Sequence, residues 1–147
     1  MSDGSDSDYS PLPEDIINIA DFYYPSDDVL ISNGAEKSTE WPVMHKAKEI
    51  TLKTIIFKQS SFRIKFDLWG GDPTHLVSAQ IYKNGTAIGT LWTRNSKSYA
   101  TFIDNFEGPW EQNDTIELWA TRGTSDEARV QNFNICGTKN VFKNTLT

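Results

Sequence analysis

The Asn84-Gly85 pair, set between two alternating apolar runs, most narrows what this chain can fold into. Before it, Val77, Ala79 and Ile81 alternate with Ser78, Gln80 and Tyr82; after it, Ile88, Thr90 and Trp92 alternate with Ala87, Gly89 and Leu91. Asn-Gly tolerates two successive positive φ values, which a two-residue type I′ hairpin turn requires. With those two residues as the loop, Lys83 is expected opposite Thr86, Tyr82 opposite Ala87 and Ile81 opposite Ile88. The same register sets Ala79 against Thr90 and Val77 against Trp92. One face then collects the apolar residues of both runs, each cross-strand pair contributing roughly 0.2–1 kcal/mol. A slip of one residue would separate Ile81 from Ile88.

The rest of the chain supports an all-β reading. Phe62, Ile64, Phe66 and Leu68 alternate with Arg63, Lys65, Asp67 and Trp69, the pattern of a strand with one face on a core. Gly70-Gly71-Asp72-Pro73 reads as the turn that follows it. Tyr99, Thr101 and Ile103 oppose Ala100 and Phe102, and Ile116, Leu118 and Ala120 are expected inward with Glu117 and Trp119 outward. Val130, Phe133 and Ile135 break strict alternation and predict a bulge. The lysine-rich stretch His45 to Lys53 predicts an exposed strand whose charges discourage edge-to-edge association. Gly108-Pro109-Trp110 reads as a loop carrying an aromatic plug. Short strands with no crossover helix predict an antiparallel β-sandwich or jelly roll of about seven to eight strands, preceded by an extended N-terminal arm.

A chain of 147 residues can bury a substantial core. The expected organisation is an acidic, partly disordered arm over residues 1–42, a β-sandwich over 43–137 and a polar tail over 138–147. Met1 to Ser10 is rich in Ser, Asp and Gly and is expected to be disordered. Glu14 to Tyr24 is apolar again and reads as a short helix or an extended arm. Its Ile16, Ile17, Ile19, Phe22, Tyr23 and Tyr24 need burial, on this domain's own sheet or on a neighbouring subunit. Between Pro25 and Pro42 only Val29-Leu30-Ile31 resembles a strand.

Charge narrows the partners. Residues 1–28 hold eight carboxylates and no Lys or Arg, so in a chain of net charge −6 the remainder carries +2. Such a body lacks the basic stripe a nucleic-acid binder needs. No apolar run approaches the roughly 20 residues of a membrane span. The acidic start lacks the apolar region of a secretory signal. Cys136 is the single cysteine and, at the end of an apolar strand pattern, is expected to be a buried thiol.

No catalytic, metal or cofactor constellation emerges, and no enzyme activity is expected. His45 and His75 are the only histidines, neither beside a nucleophile motif, and both read as surface residues. One Cys and two distant His make a poor zinc set. Asp67 beside Trp69 and Glu117 beside Trp119 could suggest a glycosidase cleft, but solvated strand charges are the simpler reading, since nothing ties two acids to one cleft. Trp69, Tyr82, Trp110 and Trp119 fall on outward or loop positions. They are a second layer of core, a subunit interface, or a ligand platform on which sugars stack.

The series Phe62 to Leu68, Ala79 to Thr90, Tyr99 to Phe102, Trp110, Asn113 to Trp119 and Val130 to Ile135 resembles a β-sandwich module of tailed-phage and archaeal-virus structural proteins, found in tail, fibre and capsid-associated settings. The Ile81-Tyr82-Lys83-Asn84-Gly85 hairpin with Ile88-Gly89, and the Asn132-Phe133-Asn134-Ile135 strand, carry most of the likeness, over residues 45–137. Asn113 stands where that module usually has Gly. The resemblance implies a non-enzymatic virion protein, a capsid decoration, turret or tail component, whose partners are other virion proteins and copies of itself, a trimer for instance. The alternative is a carbohydrate- or receptor-binding module for host attachment.

Overall fold

The computed structural model describes residues 23–53, 61–108 and 110–139. Ten strands follow one another: β1 (Tyr23–Asn33), β2 (Lys37–Thr39), β3 (His45–Thr51), β4 (Ser61–Gly70), β5 (Val77–Lys83), β6 (Thr86–Ala87), β7 (Trp92–Arg94), β8 (Ser96–Glu107), β9 (Thr115–Thr121) and β10 (Ala128–Lys139). They form two five-stranded antiparallel sheets, β1-β10-β4-β8 with β2 beside β10, and β3-β9-β5-β6 with β7 beside β5. The chain is an antiparallel β-sandwich, as expected.

Alternation puts the core where the sequence places it. Phe62, Ile64, Phe66 and Leu68 of β4 are buried, as are Val77, Ala79 and Ile81 of β5 and Ile116, Leu118 and Ala120 of β9. Each large side chain so buried stabilises the fold by roughly 1.5–3 kcal/mol before ordering costs. The expected bulge lies in β10, where the register shifts between Gln131 and Asn134 and Asn132 takes φ 53°. Asn84 and Asn113 also have positive φ, at 50° and 74°; asparagine tolerates that region better than most non-glycine residues. The Asn84 side-chain oxygen accepts the Thr115 backbone N–H at 2.8 Å, tying the turn to β9. Cys136 is buried, and burial pushes its thiol pKa up.

Three expectations need correction. The hairpin starts as predicted, with Lys83 opposite Thr86 and Tyr82 opposite Ala87. Then the Ile88 and Gly89 N–H groups both donate to Ile81 O, at 3.0 and 3.1 Å. Pairing resumes with Ala79 opposite Trp92 and Val77 opposite Arg94, two residues beyond the expected register, and Ile88 is 38% exposed while Ile81 is fully buried. The cause lies in the facing sheet. Asp104 of β8 accepts the Thr90 N–H at 3.3 Å, the Thr90 hydroxyl at 3.0 Å and the Trp92 indole N–H at 3.1 Å. Those bonds draw the returning chain off β5 to close the seam between the sheets. Gly89 fits there because a Cβ would lie 3.1 Å from the Ile81 Cβ and 3.2 Å from Phe106 Cζ.

The second correction is the domain boundary. Residues 23–39 are sheet, with β1 paired to β10 from Tyr23↔Lys139 to Asn33↔Phe133 and β2 paired to β10 through Lys37↔Val130. The sandwich therefore includes residues from Tyr23 onward rather than starting at 43. Of the arm residues expected to be buried on this domain's own sheet or on a neighbouring subunit, Tyr23 and Tyr24 have backbones paired within this chain's own sheet. Ile16, Ile17, Ile19 and Phe22 lie outside the described residues. Third, Trp110 is 2% exposed, its ring edge-on to Phe62 at 6.0 Å and to Phe106 at 6.5 Å. It is the plug its loop suggested and cannot serve as a platform.

Candidate functional site

The chain crosses from the edge of one sheet to the edge of the other between β2 and β3, and an open cavity of about 560 Å³ lies along that crossing. Its position is set by a chain of hydrogen bonds. Thr39 is 4% exposed; its hydroxyl accepts the Trp41 N–H at 3.2 Å and donates to His45 Nε2 at 3.0 Å. His45 Nδ1–H then points at Val43 O, 3.4 Å away, which is the tautomer that satisfies every group in the series. From the other side, the Arg122 N–H and the Thr121 hydroxyl donate to Trp41 O at 2.9 and 3.1 Å. Arg122 Nε donates to Glu40 O at 2.6 Å, and its Nη1 holds Ser125 O at 3.0 Å.

This clamp leaves the Trp41 side chain outside the core. Its indole is 58% exposed, with the His45 ring 5.0 Å away at 37°. Around it the cavity is lined by Lys37, Ser38, Glu40 and Lys46. Lys46 is anchored to Glu49 at 2.6 Å, and that bond raises its pKa. Lys48 donates to Ala35 O; burial, and then the charge of Lys37, lower its pKa. A flat apolar face ringed by donors and acceptors can stack on the C–H face of a sugar while bonding its hydroxyls.

The residues expected to form a platform do not converge. Trp69 lies on the outer face of the β4 sheet, with the Arg129 guanidinium 4.0 Å above its ring centroid, and Arg129 in turn pairs with Glu127 at 3.2 Å. Tyr82 and Trp119 lie on the outer face of the other sheet, stacked at 4.2 Å and 6°, so each ring covers one face of the other. Trp119 Nε1 and the Thr115 hydroxyl donate to Glu117 at 2.8 and 2.6 Å. Glu117 is 4% exposed and not a solvated strand charge as expected: the rings beside it and these two donors take the place of water.

Asp67 is likewise engaged, accepting from Thr101 at 2.7 Å, Asn132 at 2.8 Å and Gln131 at 3.2 Å. It lines a smaller polar cavity of about 230 Å³ with Lys65 and Asn134. Asp67 and Glu117 face outward from opposite sheets, so the thickness of the sandwich separates them. A glycosidase pair needs its carboxylates roughly 5–9.5 Å apart across one bond. His45 bonds Thr39, and His75 bonds Asp72 at 2.9 Å. Among the described residues no group of three or more His, Cys, Asp or Glu is placed to hold a metal ion.

Trp41 was missed in the sequence reading because nothing alternates around it. The signal that was there is a large aromatic at the end of the polar run Glu36-Lys37-Ser38-Thr39-Glu40 and just before Pro42.

No family model and no curated protein sequence matches the chain. Among solved structures, it is similar to the C-terminal domain of EclA, a sugar-binding protein, with TM-score 0.52 and 8% identity over 74% of this chain and 81% of that one. It is also similar to a CBM4 structure, with TM-score 0.46 and 13% identity over 68% of this chain and 64% of that one. A third is the CBM22-1 xylan-binding domain of Paenibacillus barcinonensis Xyn10C, with TM-score 0.48 and 10% identity over 75% and 86%. At such identities the likeness speaks for the sandwich fold alone.

Proposed function

We propose that this chain is a non-catalytic carbohydrate-binding β-sandwich, with its ligand seat in the Trp41 cavity. The observation that carries the reading is a tryptophan held in place by backbone bonds yet 58% exposed, in a cavity lined mostly by polar and charged residues. A rigid loop avoids the ordering cost of forming a site on binding. The sugar-binding named for the EclA domain supplies the ligand class to test first. The placement of Asp67 and Glu117 on opposite faces supports the non-catalytic reading, since that pair cannot flank one glycosidic bond. The virion setting implied by the viral resemblance would make the same seat a host-attachment site, and the assay reads the same in either setting.

The test is affinity electrophoresis against a panel of neutral and acidic polysaccharides, with Trp41→Ala and Trp119→Ala beside the parent chain. At least one polysaccharide should retard the parent and the Trp119 variant, and the Trp41 variant should lose roughly tenfold or more in affinity, the scale of one hot-spot aromatic. A parent chain that migrates freely through every gel would end the proposal.

A further inference from the structure

The outer face of the β4 sheet holds a second cavity, about 230 Å³, lined by Lys65, Asp67, Thr101, Asn132 and Asn134. A bulge builds it. Between Gln131↔Asp67 and Asn134↔Lys65, β10 advances three residues while β4 advances two. Strict alternation from Gln131, which shares the outer face with Asp67, would turn Asn132 towards the core. The extra residue instead leaves Asn132 exposed at φ 53°, and Phe133 takes the buried place. Bulges re-aim side chains in this way and concentrate beside functional sites. The Asn132 N–H donates to Gly34 O at 2.8 Å, which fixes the bulge.

Asp67, on the strand between β10 and β8, organises the lining. It accepts from Thr101 on β8 at 2.7 Å, and from Asn132 and Gln131 on β10 at 2.8 and 3.2 Å. The bond from Asn132 Nδ2 fixes how that amide lies and leaves its Oδ1 without a donor among the described residues. The side-chain amide of Asn134, half-buried, forms no hydrogen bond among them, so it keeps two donor hydrogens and an acceptor oxygen. Arg63 and Lys65 share the Asp27 carboxylate at 3.0 and 3.4 Å. With Asp67 as the second negative charge, these four groups cancel.

We infer that this cavity is a second seat for an uncharged sugar, gripped through two neighbouring hydroxyls rather than by ring stacking. The occupant follows from what the lining lacks and from what it leaves unused. No apolar residue is there to shelter a hydrocarbon, and balanced charge gives an ion no preference. The unused groups belong to carboxamides, which accept at oxygen and donate at nitrogen. Adjacent hydroxyls on a sugar ring answer both at once: one donates to Oδ1 while its neighbour accepts from Nδ2–H. The volume falls below the roughly 300–1,000 Å³ of a pocket for a drug-sized ligand, which suits a single ring. This seat lies on the outer face of β10, β4 and β8, whereas the Trp41 cavity follows the crossing from β2 to β3. Two seats on one chain raise its retention on a polysaccharide without strengthening either contact.

Proton–nitrogen NMR of the full chain tests this. The side-chain amide signals of Asn132 and Asn134 are followed during titration with the methyl pyranosides of glucose, galactose, mannose and xylose. A few hydrogen bonds to one ring give roughly millimolar affinity, so each glycoside is taken to about 100 mM. At least one should move both signals to saturation, with the same midpoint in Trp41→Ala. Asn134→Ala, read at the Asn132 amide, should weaken that binding about fivefold or more, with an unchanged near-UV spectrum showing the sheet intact. Four glycosides that leave both amides still overturn the inference. So does movement that disappears in Trp41→Ala, which would be an echo of the first seat, or a midpoint that Asn134→Ala leaves unchanged. The Trp41 reading stands or falls separately, on that variant's own loss of polysaccharide binding.

Discussion

Trp110 and Trp41 carry the same side chain into opposite settings. Trp110 is 2% exposed between Phe62 and Phe106, with Lys83 Nζ 4.9 Å from its ring centroid. Trp41 is 58% exposed, its backbone tied into the fold through Thr39, Thr121 and Arg122 and its ring beside the His45 ring at 5.0 Å. The first ring fills the end of the core, and removing it removes packing. The second lies outside the core, so its loss should be felt mainly by whatever it meets outside. Trp119 stands between them, half-buried against Tyr82 and bonded to Glu117. Tryptophan content alone therefore says little about binding; the division of labour between ring and backbone decides it.

That contrast can be broken in descending steps. Trp110→Ala should cost about 3–5 kcal/mol in urea unfolding, the range for an aromatic removed from a core. A cost under 1 kcal/mol would mean the ring is no plug. Trp119→Ala should cost about 1–2 kcal/mol, since it removes one stacking partner and one donor to a nearly buried carboxylate. Trp41→Ala should shift stability by no more than about 0.5 kcal/mol, as for surface positions generally, and a larger loss would place the ring in the fold after all. The smallest effect concerns a carboxylate that serves only its own turn. Asp72 accepts the Thr74 N–H and hydroxyl and faces His75, bonds that hold its pKa down at about 2. Because the folded value is depressed, its contribution is present above the unfolded pKa and fades as pH falls from about 4 through 2. Carboxyl NMR titration should find its midpoint near the lower figure, and an ordinary midpoint would show the turn to be open in solution.

Where the fold could be read in advance, the reason is period-two burial. β4, β5 and β9 each pack one face on the core, and their alternation survives in the sequence without help from distant residues. The hairpin was legible only as far as its turn. Its return path depends on Asp104, a polar residue on the inward face of β8, and no local pattern around Ile88 signals that pull. β1 was legible only at Val29-Leu30-Ile31, for a different reason. Pro25, Ser26, Asp27 and Asp28 have weak strand propensity and fall within the register shift between Tyr24↔Thr138 and Val29↔Cys136, so the ladder with β10 holds them from either side. The candidate site was the least legible part. Trp69, Tyr82 and Trp119 could be placed on outward faces, but which rings are covered depends on Arg129 and on the Tyr82–Trp119 pairing across strands. The exposure of Trp41 depends on bonds from Thr121, 80 residues later.

The most direct measurement uses the five indole N–H signals of this chain, assigned by single substitution and followed during titration with an oligosaccharide taken from the best-retarding polysaccharide. The Trp41 signal should move progressively to saturation while Trp110 stays still and Trp119 shifts little. Saturable movement confined to Trp69 or Trp119, with Trp41 unmoved, would contradict the assignment of the binding seat.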